Sequence, residues 1–493
     1  MTFAALAATL KNAVPVRLAE TPRVEISLFR DLVLGEVEDG ARIAAFFGVP
    51  RGPGEATLFA VLANDTAGVL RASSSDVEGS YPALTPECTQ AHWFEREIAE
   101  DLGATPEGHP WPKPIRFTRS ELPGVTDHYR VEGHEVHEVA VGPVHAGVIE
   151  PGHFRFQCHG ETVFHLEISL GYQHRGVERA IPGGPDARTI HYMETAAGDT
   201  SIGHALAYCH AVEGLAGAAA SPRAQAIRGV ALELERLANH TGDLGALAND
   251  VGYLPTASYC GRLRGDFLSL TALLCGSRFG RGLVRPGRVG FDLDPERATE
   301  TKERLAAAAK DVANAAQLLF KTSSVRARFE NTGTLLRQTA HELGLVGPAA
   351  RASGLERDVR REFPTGIFRF AQVPVSTYHT GDVFARAHVR WMEIQRSIEF
   401  VGTHLSGLPG GEVRVAVGPL APDSFVASLI EGWRGEICHV AITGPDGHFA
   451  RYKIVDPSFH NWFGLAMAMR GQEISDFPLT NKSFNLSYCG HDL

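Results

Sequence analysis

Short apolar runs bounded by turn-forming residues fill the first 125 residues. They are rich in Val, Ile and Phe, which is typical of β-strands, and they are VEISLFR (24–30), ARIAAFFGV (41–49) and ATLFAVLAND (56–65). A helix is predicted after them, with Thr85 as its N-cap, Pro86 at its first position and Gly103 at its end. Strands followed by a helix predict a small α/β domain over residues 1–125.

A polar stretch rich in Pro and Gly follows this domain and lacks amphipathic periodicity. We therefore place a linker at residues 126–137, since such stretches commonly separate domains. The remaining residues, 138–493, begin with alternating apolar and polar positions, which predict strands.

Two long helices are predicted next, because apolar residues recur there at spacings of three, four or seven. The first starts after Ser221 and Pro222 and the second after Asp294 and Pro295, since a polar N-cap followed by Pro favours a helix start. Strand-like runs return at the end of the chain: EVRVAVG (412–418), ICHVAIT (437–443) and RYKIVD (451–456). The predicted fold class is α+β, a small N-terminal α/β domain followed by a large, mainly α-helical bundle domain with peripheral β-sheets.

Charge and hydropathy exclude several classes of function. The formal net charge is −10, and Lys and Arg are scattered along the chain. We expect no nucleic-acid partner, because phosphate binding needs a concentrated cationic surface. No apolar run approaches the roughly 18 to 20 residues of a membrane-spanning helix. The N-terminus has no charged region before its hydrophobic part, so we expect no secretory signal and a cytoplasmic location.

The seven cysteines occur singly, and none belongs to a C-x-x-C pair. An odd count without pairing motifs argues against a disulfide framework, a cysteine-bound zinc ion or an iron–sulfur cluster. We expect most of them to be small buried hydrophobic residues.

Histidine is abundant, with 22 residues, but the spacing matches no metal-binding signature such as H-E-x-x-H. In GYQHRGVERAI, Arg175 and Glu178 lie within one turn at a strand-to-helix boundary. Two interpretations are open: a surface ion pair, or a buried carboxylate whose pKa is raised by desolvation so that it can handle protons. His240 and Asp250 lie ten residues apart on one predicted helix, too far for direct contact.

Several motifs, taken together and in their order along the chain, resemble those of a known family. The segment YPALTPECTQAHWFEREIAEDLGATPEGHP is similar to the small hydrophilic subunit of respiratory complex I. The rest resembles both the large subunit of energy-converting membrane-bound [NiFe] hydrogenases, of the formate hydrogenlyase type, and the complex I subunit that builds the quinone pocket. The similar stretches are GPVHAGVIEPGHFRF, GYQHRGVERAI, AYCHAVEGL, ELERLANHTGDLGALANDVG, GDVFARAHVRWMEI and EGWRGEICH.

The chain departs from the hydrogenase pattern at the metal ligands. Ala197 and Thr200 stand where the resemblance places the first C-x-x-C, and Ser487 and Gly490 where it places the second. Cys489 is one place out of register. Because His, Ser and Thr do not replace bridging thiolates between two soft metals, we expect this chain to hold no [NiFe] centre of its own.

The resemblance also implies candidate site residues. Glu178 matches the glutamate that hydrogenases use as a proton relay, and Asp250 matches the family's helix aspartate. His145 matches the earlier histidine of the quinone-binding loop, while Pro151 stands near the position of the later one, with His153 close by. Gly198 replaces the quinone-binding tyrosine. On this basis Glu178, Asp250 and His145 are the candidate catalytic residues, and His145, His153, Gly198 and Thr200 would line the vacated quinone or [NiFe] pocket.

The resemblance implies a soluble-arm subunit of a complex I-like (NADH–quinone) or hydrogenase-related oxidoreductase on the inner face of the cell membrane. Electrons would come from an iron–sulfur cluster in a partner small subunit, with quinone as the candidate acceptor. Integral membrane antiporter-like and complex I-like subunits would move ions. The alternative is a redox-silent scaffold that joins an ion-translocating module to another enzyme.

Overall fold

The computed structural model describes residues 6–120, 122, 124–145 and 149–493. It confirms the predicted α+β class, with helices and sheets in both halves of the chain. Within the described ranges, every helix is too short or too polar to cross a lipid bilayer.

The β-strands are numbered in chain order. They are β1 Ala8–Leu10, β2 Val16–Arg17, β3 Arg42–Gly52, β4 Glu55–Asn64, β5 Val69–Glu78, β6 Ser80–Pro82, β7 Thr105–Glu107, β8 Val136–Val141, β9 His153–His159, β10 Thr162–Ser169, β11 Val284–Arg285, β12 Arg288–Val289, β13 Ser424–Gly432, β14 Gly435–Thr443 and β15 Phe449–Val455.

The α-helices are numbered in the same way. They are α1 Ile26–Glu38, α2 His92–Leu102, α3 Thr189–Met193, α4 Ser201–Leu215, α5 Pro222–Asp250, α6 Leu254–Cys275, α7 Pro295–Lys321, α8 Ser323–Phe329, α9 Arg337–Glu342, α10 Gly347–Ala352, α11 Val359–Glu362, α12 Val383–Ser406, α13 Pro457–Ala468, α14 Phe477–Phe484 and α15 Tyr488–His491.

Three larger sheets organise the strands. The first has the order β3-β4-β5-β6-β7, with β1 paired to β5, and it belongs to the N-terminal region. The second is the antiparallel sheet β10-β9-β8, as the alternation after residue 138 predicted. The third has the order β15-β14-β13-β2, so that a strand from the N-terminal region completes the C-terminal sheet.

The helical part is a bundle in which α5 packs on α6 and α12, and α7 packs on α6 and α12. Both predicted helix starts are confirmed: the Ser221 hydroxyl accepts a hydrogen bond from Ala224 N, and the Asp294 carboxylate accepts one from Arg297 N. One hydrophobic core fills the bundle. A second joins the N-terminal sheet to β9, β10, β13 to β15 and α13, and six of the seven cysteines are buried.

Three predicted elements were wrong. VEISLFR is not a strand, since all but its first two residues begin α1. Phe29, Leu32, Val33 and Glu36 form a buried stripe with helical spacing there. The helix predicted from Thr85 begins at His92. Thr85 does not cap this helix. Its hydroxyl donates a hydrogen bond to the Glu95 carboxylate, with an oxygen–oxygen distance of 2.6 Å.

The third error concerns EVRVAVG, which contributes only an isolated bridge between Arg414 and Arg288. The strand that it meets, β12, is only two residues long and cannot complete a ladder. The strand lies instead at β13, which is buried at every position and therefore shows no alternation along the sequence.

Candidate functional site

The two segments that carry the predicted ligand positions lie side by side. Arg175 fastens them together by donating hydrogen bonds to the carbonyl oxygens of Thr195 and Ala196, at 2.7 and 2.8 Å, and of Cys489, at 3.2 Å. The Cys489 sulfur lies at the backbone N–H of Gly198. Segments 194–200 and 485–492, with the side chains packed between them, are called the vacated site below.

Hydroxyl groups and small residues occupy the four ligand positions. Ala197 is buried, and the Thr200 hydroxyl accepts a hydrogen bond from Trp433 Nε1 at 3.1 Å. The Ser487 hydroxyl accepts one from the backbone N–H of Gly490 at 2.9 Å. This set contains no thiolate, and it does not fit a [NiFe] centre, because a soft metal pair requires sulfur ligands.

Arg434 adds a second link across the vacated site. Its guanidinium donates to both carboxylate oxygens of Asp199, at 2.6 and 2.8 Å, and to the carbonyl oxygen of Asn485, at 2.6 Å. It stacks on the Trp433 ring, 3.9 Å from the centroid. Burial acts to lower the pKa of Arg434, but the Asp199 charge outweighs it and raises the pKa, so the guanidinium remains charged.

Helix α4 begins directly after Thr200, and a side chain from another helix caps its first N–H groups. The Glu235 carboxylate, from α5, accepts hydrogen bonds from Ile202 N at 2.7 Å and Gly203 N at 3.1 Å. This leaves the Thr200 hydroxyl free to accept from Trp433. Burial raises the pKa of Glu235 to about 8.

Asp456 lies against Gly490 of the vacated site and is fully buried. One carboxylate oxygen caps α13 by accepting a hydrogen bond from Ser458 N at 2.8 Å. The other lies 3.0 Å from His204 Nε2. A Cβ atom on Gly490 would lie only 2.6 Å from the Asp456 carboxyl carbon and 2.8 and 2.9 Å from its oxygens. The carboxylate therefore fills the space that a side chain at position 490 would need.

Glu178 lies outside the vacated site, in a buried charge cluster. Its carboxylate accepts hydrogen bonds from Lys453 Nζ at 3.0 Å, Ile454 N at 2.9 Å and Arg451 at 3.3 Å. Lys453 also binds Glu97 at 2.6 Å. Of the two interpretations left open by the sequence, a surface pair with Arg175 is wrong, because Glu178 is buried and Arg175 binds main-chain carbonyls.

A separate cavity of about 320 Å³ lies beside the vacated site, and His145 and Asp250 both line it. It is called the His145 cavity below. Its wall is mainly apolar, and the remaining lining residues are Val141, Ile149, Phe154, Phe156, Ile474, Phe477, Pro478, Asn481, Lys482, Asn485, Leu486 and Tyr488. The volume falls in the range of about 300 to 1,000 Å³ that is typical of small-molecule sites.

His145 and His153 hold the loop that borders this cavity. His145 Nε2 lies 3.0 Å from the carbonyl oxygen of Gly152, and His153 Nδ1 lies 3.1 Å from that of Gly142. The two reciprocal bonds join the residues that follow β8 to those at the start of β9. His153, Gly198 and Thr200 are not among the lining residues, so this cavity brings together His145 and Asp250 of the predicted set. Gly198 and Thr200 lie instead in the vacated site.

Tyr488 is the wall residue that the sequence did not single out. Its ring packs on Trp462 with centroids 4.8 Å apart, and its buried hydroxyl has no hydrogen-bond partner among the described residues. Gly152 makes room for it, because a Cβ atom there would lie 2.5 Å from the tyrosine ring. Burial raises the pKa of Tyr488 to about 12, so the hydroxyl keeps its proton and can donate.

A larger cavity of about 550 Å³ lies elsewhere, between α2, β10 and α13, and its described lining contains none of the predicted site residues. Across the described ranges, no three His, Cys, Asp or Glu side chains are grouped closely enough to hold a metal ion.

The residues that link and fill the vacated site were not predicted from the sequence. The chief ones are Arg434, Asp199 and the hydrogen-bonded pair of Asp456 and His204. A signal was available for Arg434, because EGWRGEICH belongs to the motifs that carry the family resemblance. No signal linked Asp456 to His204, since 252 positions separate them.

Comparison with known proteins supports the resemblance. Residues 250–424 match the family model described as the 49 kDa subunit of respiratory-chain NADH dehydrogenase. Formate hydrogenlyase subunit 5 of Escherichia coli is 28% identical over 432 residues, covering 83% of this chain and 76% of that protein. NADH-quinone oxidoreductase subunit 4 of Thermus thermophilus is 29% identical over 69% of this chain and 90% of its own length.

An NADH-quinone oxidoreductase subunit of Dehalococcoides mccartyi is 30% identical over 339 residues, which cover 68% of this chain and 92% of that protein. The match thus spans almost the whole relative. The chain belongs to the family of the complex I 49 kDa subunit and the related large subunits of membrane-bound hydrogenases.

Proposed function

We propose that this chain is a peripheral subunit of a membrane-bound complex I-like or hydrogenase-related oxidoreductase and carries no [NiFe] centre of its own. Electrons arrive from an iron–sulfur cluster in a neighbouring small subunit and reduce a quinone. Integral membrane antiporter-like and complex I-like subunits couple this reaction to ion translocation. Support comes from the relatives, which are named as subunits of hydrogenases and of NADH-quinone oxidoreductases.

The absence of a [NiFe] centre is argued from the donor set. The four positions offer a methyl group, two hydroxyls and a glycine, and the Asp456 carboxylate fills the space beside Gly490. Hydroxyl and carboxylate oxygens are hard ligands, and a methyl group or a glycine offers no side-chain ligand at all. Nickel and iron in this kind of centre need soft sulfur ligands. We therefore do not assign molecular hydrogen as a substrate of this chain.

The observation that carries the quinone assignment is the His145 cavity. A quinone headgroup is a flat, apolar ring with a carbonyl acceptor at each end. Apolar walls suit the ring, and hydrogen-bond donors at the rim suit the carbonyl oxygens. Tyr488 and Lys482 supply such donors, and His145 and Asp250 lie in the same lining. Tyr488 in this way takes over the role that a tyrosine at position 198 would have.

Proton supply is assigned to the lining carboxylate Asp250 and, at greater distance, to Glu178. Reduction of a quinone to a quinol consumes two electrons and two protons, so the cavity needs a route for protons. Asp250 lies at the cavity. Glu178 is held by Lys453 and Arg451, and the Lys453 ammonium also pairs with Glu97, so that it links the two buried carboxylates.

Quinone binding tests the assignment directly. A fluorescent or photoreactive short-chain quinone should bind the full-length chain, and Val141→Trp, which fills the His145 cavity, should abolish the binding. Ala466→Trp is the matched control, because it fills the larger cavity instead. Loss of binding in the control alone would move the site to the larger cavity and refute the assignment.

Ion coupling tests the role of Glu178. In membrane vesicles that contain the assembled complex, Glu178→Gln should lower the number of ions moved per electron pair, because the side chain keeps its shape but loses its charge. Unchanged coupling would remove this role.

A redox-silent scaffold is the second candidate. It is favoured by the glycine at position 198 and by the hydrogen bonds of Arg175 and Arg434, which hold the two segments of the vacated site together. A scaffold binds no quinone, so the binding experiment with Val141→Trp distinguishes the two functions.

A further inference from the structure

The larger cavity, between α2, β10 and α13, has no role in the proposed function. Its volume of about 550 Å³ falls in the range that is typical of small-molecule sites. Seven of its sixteen described lining residues come from segment 81–110, which carries the resemblance to the small hydrophilic subunit of complex I. This motif therefore shapes a cavity of its own, away from the vacated site and the His145 cavity.

Aromatic side chains line the larger cavity in two groups of contacting rings. In one group, the Tyr129 ring centroid lies 6.0 Å from that of Trp111 and 4.8 Å from that of His165. In the other, the centroids of His92 and Phe463 are 5.3 Å apart. Aromatic rings bind other aromatic rings through offset stacking and edge-to-face contacts. The wall therefore favours a flat aromatic ligand.

Arg96 adds a buried positive charge to this wall. It is 7% exposed and stacks on Trp93, with 4.7 Å between the guanidinium carbon and the ring centroid. The guanidinium donates to the carbonyl oxygens of Lys113, at 2.7 Å, and Pro114, at 2.9 Å, and to His92 Nε2, at 3.4 Å. Burial lowers the pKa of His92 well below its ordinary value and that of Arg96 to about 10, so only the guanidinium is charged at neutral pH.

No carboxylate among the described residues pairs with this charge. The carboxylates that act on the pKa of Arg96 are those of Glu167 and Glu100, and each is held by other groups. Glu167 also lines the cavity, but the Lys113 ammonium balances it. Glu100 accepts hydrogen bonds from backbone N–H groups of segment 115–118. A buried charge without a partner is costly, and an anionic ligand in the cavity would offset that cost.

Arg96 also has hydrogen-bond donors to spare. A guanidinium carries five N–H groups, and the bonds to Lys113, Pro114 and His92 use three of them. One N–H group on each terminal nitrogen is left. A carboxylate accepts hydrogen bonds at both of its oxygens, so a ligand carboxylate would satisfy the free donors as well as the charge.

We propose that the larger cavity binds a small aromatic carboxylate, whose ring lies among the aromatic side chains and whose carboxylate group meets the Arg96 guanidinium. A quinone does not meet these requirements, because it carries no charge to balance Arg96. The site is thus separate from the quinone site that we assign to the His145 cavity, and it stands whether or not that assignment holds.

The charge of the ligand tests the proposal without any change to the protein. 2-Naphthoate and its neutral amide, 2-naphthamide, have nearly the same shape and differ in charge. Isothermal titration calorimetry of the full-length chain at neutral pH measures the Kd of each. Naphthoate should bind at one site, with a Kd lower than that of the amide by about 10-fold or more, because hydrogen bonds to charged groups are the stronger ones. Equal affinities, or no binding of naphthoate, would overturn the proposal.

Two substitutions locate the bound naphthoate. Ala466→Trp fills the larger cavity and should abolish binding, whereas Val141→Trp fills the His145 cavity and should leave the Kd unchanged. Circular dichroism checks that both variants are folded. Binding that survives Ala466→Trp, or that is lost in Val141→Trp, would place the ligand elsewhere and refute the site.

Arg96→Gln tests the contact with the carboxylate. It should raise the Kd of naphthoate by about 10-fold and leave that of naphthamide unchanged, so that the preference for the anion disappears. Arg386→Gln is the matched control, since Arg386 also donates to main-chain carbonyls, of Gly381 and Gly333, and stacks on Phe484, but lines neither cavity. It should keep the wild-type preference. A preference for naphthoate that persists in Arg96→Gln would overturn the role of Arg96.

Discussion

Two glycines of the vacated site give different predictions for the same substitution. A Cβ atom at Gly490 would lie 2.6 to 2.9 Å from the Asp456 carboxyl atoms, whereas one at Gly198 would meet no atom within 4 Å. Gly490 lies in helix α15, where Gly→Ala ordinarily stabilises by roughly 0.5–1 kcal/mol. The sign of the effect at Gly490 therefore tests whether Asp456 really occupies that space.

The expected loss follows from the contacts that Asp456 must give up. Displacing the carboxylate removes the cap at Ser458 N, worth about 0.5–2 kcal/mol. It also breaks the buried hydrogen bond with His204, worth about 1.5–3 kcal/mol for a charged group. Gly490→Ala should thus lower the free energy of unfolding by about 2–5 kcal/mol. Gly198→Ala should leave it within about 0.5 kcal/mol of the wild type.

Urea unfolding of the full-length chain, followed by circular dichroism, measures both variants under the same conditions. In the double variant Gly490→Ala/Asp456→Ala the added methyl group no longer has a carboxylate to displace. The two changes should therefore be strongly non-additive, with a coupling of about 1 kcal/mol or more. Equal stability of Gly490→Ala and Gly198→Ala, or strict additivity in the double variant, would refute the reasoning.

Further predictions concern the charge cluster, acid stability and the cavity. Lys453→Met leaves Glu97 and Glu178 without their shared buried cation and should cost about 3–5 kcal/mol in urea unfolding; a cost below about 1 kcal/mol would contradict the cluster. Burial lowers the pKa of His210 to about 4, so the native state binds fewer protons than the unfolded state and loses stability as pH falls from about 6.5 towards 4. His210→Gln should flatten that loss, by up to about 3 kcal/mol; an unchanged pH profile would contradict it. Tyr488→Phe should leave the fold as stable as the wild type but weaken quinone binding by about 1 kcal/mol in a titration, and unchanged affinity would remove Tyr488 from the site.

The sequence predicted the long helices of the bundle well, because their periodicity and caps are local signals. Ser221-Pro222 and Asp294-Pro295 each begin a helix as expected, whereas the helix predicted from Thr85-Pro86 begins at His92. Strands were harder. β13 is buried at every position and carries no alternation, while EVRVAVG alternates but meets only the two-residue strand β12.

The candidate site was predictable only where a motif carried it. The family motifs identified His145 and Asp250, which the fold brings to one cavity. They also identified Glu178 but not its partners, because Lys453 and Glu97 come from distant parts of the chain. His204, His439, Tyr452 and Asp456 form one buried hydrogen-bonded chain, and only tertiary packing brings their nitrogen and oxygen atoms together.

The central claim is that hydroxyls, a glycine and a carboxylate have replaced the metal ligands of the vacated site. Elemental analysis of the purified full-length chain by mass spectrometry tests it most directly. We predict nickel far below one atom per chain, even after expression with added nickel and with the hydrogenase maturation proteins. One nickel atom per chain, retained after dialysis against a chelator, would contradict the account.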